Sequence, residues 1–126
     1  PGAPIVLVGH SMGGRTACRA ADESGVVGVV GLAPWLPAGE PNASITGRHL
    51  RVMHGTKDRW TSAALSRSYV ERSQGIAASA TWTALPGAGH FMFSQSSAWK
   101  RFVTDSATDI VGVGSPHGRA AREDHT

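Results

Sequence analysis

Three residues of this sequence have types and surroundings suited to chemistry: Ser11, Asp58 and His90. Ser11 stands in Gly9-His10-Ser11-Met12-Gly13, Asp58 closes His54-Gly55-Thr56-Lys57-Asp58, and His90 closes Gly87-Ala88-Gly89-His90. A serine hydroxyl is a weak nucleophile until a base takes its proton. Histidine does this best when a carboxylate holds it in one tautomer. A hydroxyl, an imidazole and a carboxylate brought together would attack a carbonyl and pass the acyl group to water.

The segment around Ser11 matches G-x-S-x-G, a pattern with a mechanical meaning. It requires a strand before and a helix after, with the serine on a strained turn between them. Its flanking glycines are expected to leave room for the chain to cross itself closely. The hydroxyl then stands near a helix N-terminus, where partial positive charge favours a developing anion. Met12, the residue after the nucleophile, would offer its backbone N–H to that anion.

The neighbouring sequence supplies these elements. Ile5 to Val8 is a continuous apolar run, as expected for a strand buried on both faces. A helix is expected from about Ser11 to Glu23, rich in small residues, with Gly25 as its C′ residue. Val26 to Leu32 reads as a second buried strand. Ala33 to Arg48 holds three prolines and two glycines and predicts a loop with at most a short helical turn. His49 to His54 reads as a third strand. A helix is expected over Thr61 to Gln74, capped by Thr61 and stopped at Gly75. Ser79 to Leu85 alternates as a fourth strand. Trp99, Phe102, Val103, Ser106 or Ala107, and Ile110 recur at helical spacing and predict a helix over one sheet face.

Strands and helices alternate, which argues for an α/β fold with a mostly parallel sheet of about four strands. Active sites of open parallel sheets gather at the C-terminal strand ends. Ser11, Asp58 and His90 all follow strand ends, so they are expected to converge.

In order, strand-GHSMGG, strand-HGTKD and strand-PGAGHF resemble the C-terminal half of the α/β-hydrolase family, over roughly Ile5 to Val111. The resemblance implies a partial α/β-hydrolase fold, with the strands here matching the family's strands five to eight and helices flanking them. It implies Ser11 as nucleophile, Asp58 as acid and His90 as base, with Met12 in the oxyanion hole. The short interval from Ser11 to Asp58 leaves no room for a large cap domain, which resembles the compact dienelactone-hydrolase and small-esterase branches. Those dienelactone hydrolases typically carry cysteine at the elbow, so Ser11 favours a serine esterase. In the family the second oxyanion donor comes from a loop after strand three, to which no segment here corresponds. The expectation is therefore a serine hydrolase whose present chain is a weak or inactive fragment, with Ile5–Val8 as an exposed apolar edge. An acyltransferase or haloperoxidase-like activity on the same triad, and a non-catalytic remnant acting as a binding module, stay open.

Other assignments also stay open. Asp58 reads alternatively as a loop carboxylate paired with Lys57 or Arg59, and Glu40 is the alternative acid. His90 reads alternatively as a surface turn residue. His10, Trp35, Trp60 and Phe91 sit on segments that would ring the site and line an acyl pocket. The aromatic ones read equally as plugs that fix their loops. His10 and His54 flank the site as structural neighbours, while His49, His117 and His125 show no partner in the sequence.

Composition narrows the function classes. The chain has 126 residues, 40% of them hydrophobic and 17% charged, which suits one small domain over residues 1–112. Residues 113–126 are polar and lack apolar periodicity, so a disordered tail is expected there. The net charge is +3, without the clustered basic residues that nucleic-acid binding needs. Cys18 is the single cysteine, is expected to be buried, and can form no intrachain disulfide. No apolar run has the length of a membrane span. No histidine pair with a nearby carboxylate has metal-ligand spacing, so neither metal nor cofactor is expected. The expected partner is a small-molecule ester. The chain starts at Pro1 and enters strand-like sequence at once, which predicts a natural start further upstream. The cytoplasm is the default compartment, and no oligomeric state is specified.

Overall fold

A computed structural model describes residues 2–91 and 95–114. Its elements run β1 (Ile5–His10), α1 (Met12–Arg19), β2 (Val26–Leu32), a 3₁₀ turn (Ala43–Ile45), β3 (His49–Gly55), α2 (Ala63–Ser73), β4 (Ser79–Leu85) and α3 (Ser96–Gly114). The four strands form one sheet in the order β1-β2-β3-β4, with every neighbouring pair parallel. Each step along the sheet therefore needs a crossover, and α1, the Ala33–Arg48 loop and α2 occupy the three crossovers.

The strands alternate sides, β2 included although its sequence is apolar throughout. Val29, Leu50 and Val52 face one core with Ala17, Cys18 and Ala21 from the α1 region and Tyr69 and Val70 of α2. Val30, Leu32, Met53 and Leu85 face the other, with Trp99 and Ile110 of α3. Gly28 lets α3 come close. A Cβ there would stand 2.7 Å from Ile110 Cγ2 and 2.8 Å from the His49 carbonyl oxygen. Truncating a fully buried residue such as Ile110 to alanine would remove about 2–5 kcal/mol of stability. Cys18 is buried, as expected, and desolvation pushes its thiol up to about 12.

β1 forms one edge of the sheet, and Ile5 and Val8 stay 45% and 48% exposed on it. Such an edge offers unpaired backbone groups and apolar side chains together, which favours self-association. No helix among the described residues is long and apolar enough to cross a membrane.

Several element ends differ from expectation. α1 stops at Arg19, not near Glu23, because Ala20 leaves the helix and turns close the segment to β2. Gly25 therefore is not its C′ residue; with φ +87° it makes the turn into β2. α2 starts later than expected. Ser62, not Thr61, caps it, its hydroxyl accepting from the Leu65 N–H. α3 continues to Gly114, two residues into the expected tail, and the remainder of that tail lies outside the described residues.

Candidate active site

Ser11 sits at the joint of β1 and α1 with φ 57° and ψ −119°, a left-handed backbone that a side chain rarely adopts. The surroundings hold it there. Its N–H donates to the Leu32 carbonyl at 3.1 Å, and its carbonyl accepts from the N–H groups of Trp35 at 2.9 Å and Gly14 at 3.0 Å. The turn is thus tied to the end of β2 and the loop that follows. Gly9 makes the close crossing possible, since a Cβ there would stand 2.2 Å from the Gly13 carbonyl oxygen. The second close approach belongs to Gly14, against Pro34, and not to Gly13 of the motif, whose Cβ position is open.

Asp58 and His90 reach the same place from β3 and β4. The loops that carry them are bonded together: Thr56 N–H donates to the Leu85 carbonyl, and Lys57 N–H to the Ala88 carbonyl at 2.9 Å. Gly87 donates its N–H to the Thr56 hydroxyl. The two loops are therefore bonded directly to each other.

His90 Nε2 lies 2.9 Å from Ser11 Oγ, and His90 Nδ1 lies 2.8 Å from Asp58 Oδ2. A carboxylate only accepts, so Nδ1 carries the proton and Nε2 is left to accept from Ser11. The Asp58 side chain is fully buried and that of His90 nearly so. Burial by itself would push the Asp58 carboxyl up. The Thr61 N–H, the His90 ring, the Trp60 N–H and the Thr61 hydroxyl together outweigh it, and hold the carboxyl below its ordinary value. Both backbone N–H groups reach Oδ1 at 2.8 Å. Asp58 is an anion at neutral pH, fixed by donors on both oxygens.

The other expected residues fall into place around these three. His10 donates from Nε2 to the His90 carbonyl at 2.8 Å, and the two rings are 4.8 Å apart. That bond ties the His10 side chain to the backbone of His90. Phe91 packs edge-on against the His90 ring at 5.3 Å, and Trp60 edge-on against Phe91 at 5.8 Å. Met12, Trp60 and Phe91 are among the most exposed apolar residues. Trp35 lies under the Arg15 guanidinium, 4.7 Å from its ring centre.

Two alternatives are corrected. Glu40 is buried between Arg15 and Arg19, at 3.0 and 2.6 Å, and ties α1 to the Ala33–Arg48 loop. Burial would raise its carboxyl, but the two arginines more than reverse that and leave it lowered. His49 has a partner after all, with Nδ1 2.7 Å from Ser79 Oγ; His117 and His125 lie outside the described residues. Among the described residues, no three His, Cys, Asp or Glu side chains group as metal ligands would.

Sequence reasoning missed Thr61 and Ser66. The Thr61 hydroxyl is buried in the centre of the site, 3.0 Å from Asp58 Oδ2 and 3.2 Å from His90 Nδ1. Its signal was a hydroxyl three residues after the carboxylate, where an Asp-centred turn folds it back. Ser66 looked like one more polar residue of α2, and nothing local marked it.

A family model described as "Alpha/beta hydrolase domain" matches residues 1–100. The chain belongs to the alpha/beta hydrolase family. Solved structures share this hydrolase fold. An alpha-beta serine hydrolase homologue from Coxiella burnetii superposes with a TM-score of 0.66 at 17% identity, covering 81% of this chain and 49% of that one. The esterase domain of a Rhodothermus marinus protein gives 0.66 at 15% identity, covering 85% and 61%. A thermophilic esterase from the Planctomycetes species Thermogutta terrifontis, Est2 with butyrate bound, gives 0.66 at 18% identity, covering 87% and 56%. At these identities the likeness speaks to the alpha/beta hydrolase fold alone. The chain spans about half the length of the first of these structures. No curated protein matches it.

Proposed function

We propose that the protein containing this chain is a serine hydrolase that cleaves small, uncharged esters through an acyl-enzyme on Ser11. One observation carries this: His90 stands between Ser11 Oγ and Asp58 Oδ2, at 2.9 and 2.8 Å, with its accepting nitrogen toward the serine.

The steps follow from the proton positions. Ser11 Oγ bonds to the ester carbonyl carbon as its proton passes to His90 Nε2. The carbonyl oxygen takes the electron pair and faces the Met12 N–H. The intermediate collapses, the ester C–O bond breaks, and the alcohol leaves with the proton from His90. Water then repeats the sequence on the acyl-serine, with His90 again as base. Asp58 keeps its charge throughout and steadies the imidazolium. The exposed apolar side chains of Met12, next to Ser11, and of Phe91, packed on the His90 ring, with Trp60 against it, favour an uncharged acyl or alcohol group, and esterase neighbours such as the butyrate-bound one are in line with that choice. Met12 supplies one oxyanion donor. A second donor is worth on the order of 10²–10³ in rate.

An alkyl fluorophosphonate tests the assignment. It should phosphonylate Ser11 in the folded protein, and both Ser11→Ala and His90→Ala should abolish the mass shift. A folded protein that never takes up the reagent would rule the assignment out.

A further inference from the structure

Asp58 does not serve one histidine only. His54, at the end of β3 and wholly buried, places Nε2 3.1 Å from Asp58 Oδ2 and 3.2 Å from the Thr61 carbonyl. Both are acceptors, so Nε2 carries a proton. The other nitrogen, Nδ1, lies 2.8 Å from Ser66 Oγ. The Trp82 indole N–H, a donor with no accepting capacity, points into that same Ser66 oxygen at 2.9 Å. The Ser66 proton has two acceptors in reach, His54 Nδ1 at 2.8 Å and the Ala63 carbonyl at 3.1 Å, and Nδ1, bare once Nε2 is protonated, is the nearer. The proton on His54 Nε2 is fixed by its two acceptors, and a chain of donors from Trp82 through Ser66 and His54 to Asp58 is consistent with it. That chain ends with two imidazole N–H groups, from His54 and His90, on the same carboxylate oxygen.

We infer that His54 is a positioning residue for the proposed triad: a neutral second imidazole that shares Asp58 with His90 and thereby sets how strongly Asp58 favours the protonated form of His90. The inference rests on the assignment of Ser11, Asp58 and His90 made above. An anion that accepts an additional hydrogen bond has less charge to offer its other partner. His54 is well suited to remain an uncharged donor, because burial lowers its pKa and outweighs the attraction of Asp58. The groups that face it are few. Asp58 stands on the following loop, His90 shares that carboxylate with the His10 ring tilted 4.8 Å from it, and the uncharged Ser66 and Thr61 complete the contact. On α2, Arg67 lies over the Trp82 ring and pairs with Glu71.

In this role His54 differs from an ordinary packing residue. Loss of a packing residue would lower stability and leave the titration of a neighbour alone. Loss of a donor on Asp58 concentrates charge toward His90 and makes its second proton easier to gain.

The test is histidine ring NMR on isotope-labelled protein, a readout that needs no catalysis. In the wild type, His54 should be the neutral Nε2–H tautomer between about pH 5 and 8. In His54→Leu the titration midpoint of His90 should move upward by about half a unit to one unit. In His54→Gln, whose amide can still donate to Asp58, it should stay within about 0.3 units of wild type. The acid limb of fluorophosphonate labelling should follow the same order. A folded His54→Leu protein with an unmoved midpoint overturns the inference. Should that variant not fold, the wild-type spectrum still decides, because a His54 cation or an Nδ1–H tautomer in that pH range also overturns it. Absent labelling of Ser11 with a shifted midpoint would remove the catalytic assignment and leave the His54 coupling standing.

Discussion

Gly55, the last residue of β3, lies so close to Ala88 that a Cβ on it would stand 2.2 Å from the Ala88 carbonyl oxygen. Asp58 follows three residues after the first, His90 two residues after the second. The spacing of carboxylate and imidazole is thus fixed by a backbone contact that only glycine permits.

Gly55→Ala should force these two loops apart. Overpacking of this kind costs about 1–3 kcal/mol, read as a lower midpoint of denaturant unfolding. Since a misplacement of about 1 Å can cost on the order of 10² in rate, fluorophosphonate labelling should fall more than global stability explains. An alanine protein of unchanged stability and labelling would contradict the contact.

Ser11 stores strain that its replacement should release. Its left-handed backbone costs about 1–3 kcal/mol, and glycine adopts such angles without a Cβ clash. Against this stands the extra freedom of glycine in the unfolded chain, about 0.4–1 kcal/mol. Ser11→Gly should therefore be more stable than Ser11→Ala by about 1 kcal/mol, while both lose labelling entirely. Equal stabilities would mean that the turn is not strained in solution.

Glu40 should matter for stability and not for the proposed chemistry. Its carboxyl is held low by Arg19 and Arg15 despite burial. A lowered acid contributes stability above its unfolded value and loses it as pH falls through the folded one. Glu40→Gln should thus cost about 1–2 kcal/mol at pH 7, since charged hydrogen bonds are lost. The gap to wild type should narrow below about pH 4. Labelling of Ser11 should be nearly unchanged. If labelling is abolished with the fold intact, Glu40 and not Asp58 serves as the acid.

The sequence made much of this architecture legible, for identifiable reasons. Val26–Leu32 and Ser79–Leu85 match the observed strands in full, because turn residues bracket each apolar or alternating run. The spacing of Trp99, Phe102 and Ile110 foretold α3, since a helix burying one face must repeat its apolar residues in that way. Helix ends were less legible. α1 stops at Arg19, where Ala20 leaves the helix and Ala21 packs into the core, and no local residue announces that. Thr61 looked like a cap because hydroxyls before helices usually are; here Ser62 took that role and freed Thr61 to turn inward.

What the sequence determined by itself was a set of residue types at strand ends: a serine between glycines, an aspartate and a histidine, in an order that places each where a parallel sheet ends. That follows from local physics, since strand, turn and helix are decided over a few residues. Only the tertiary structure decided which polar atoms face one another. It put Glu40 with Arg15 and Arg19 rather than with His90, gave close packing to Gly14 rather than Gly13, and set His54 and His90 on one oxygen of Asp58. Those pairings join residues from different loops, and their distances depend on how the sheet twists and how closely its helices pack. No window of sequence contains that information.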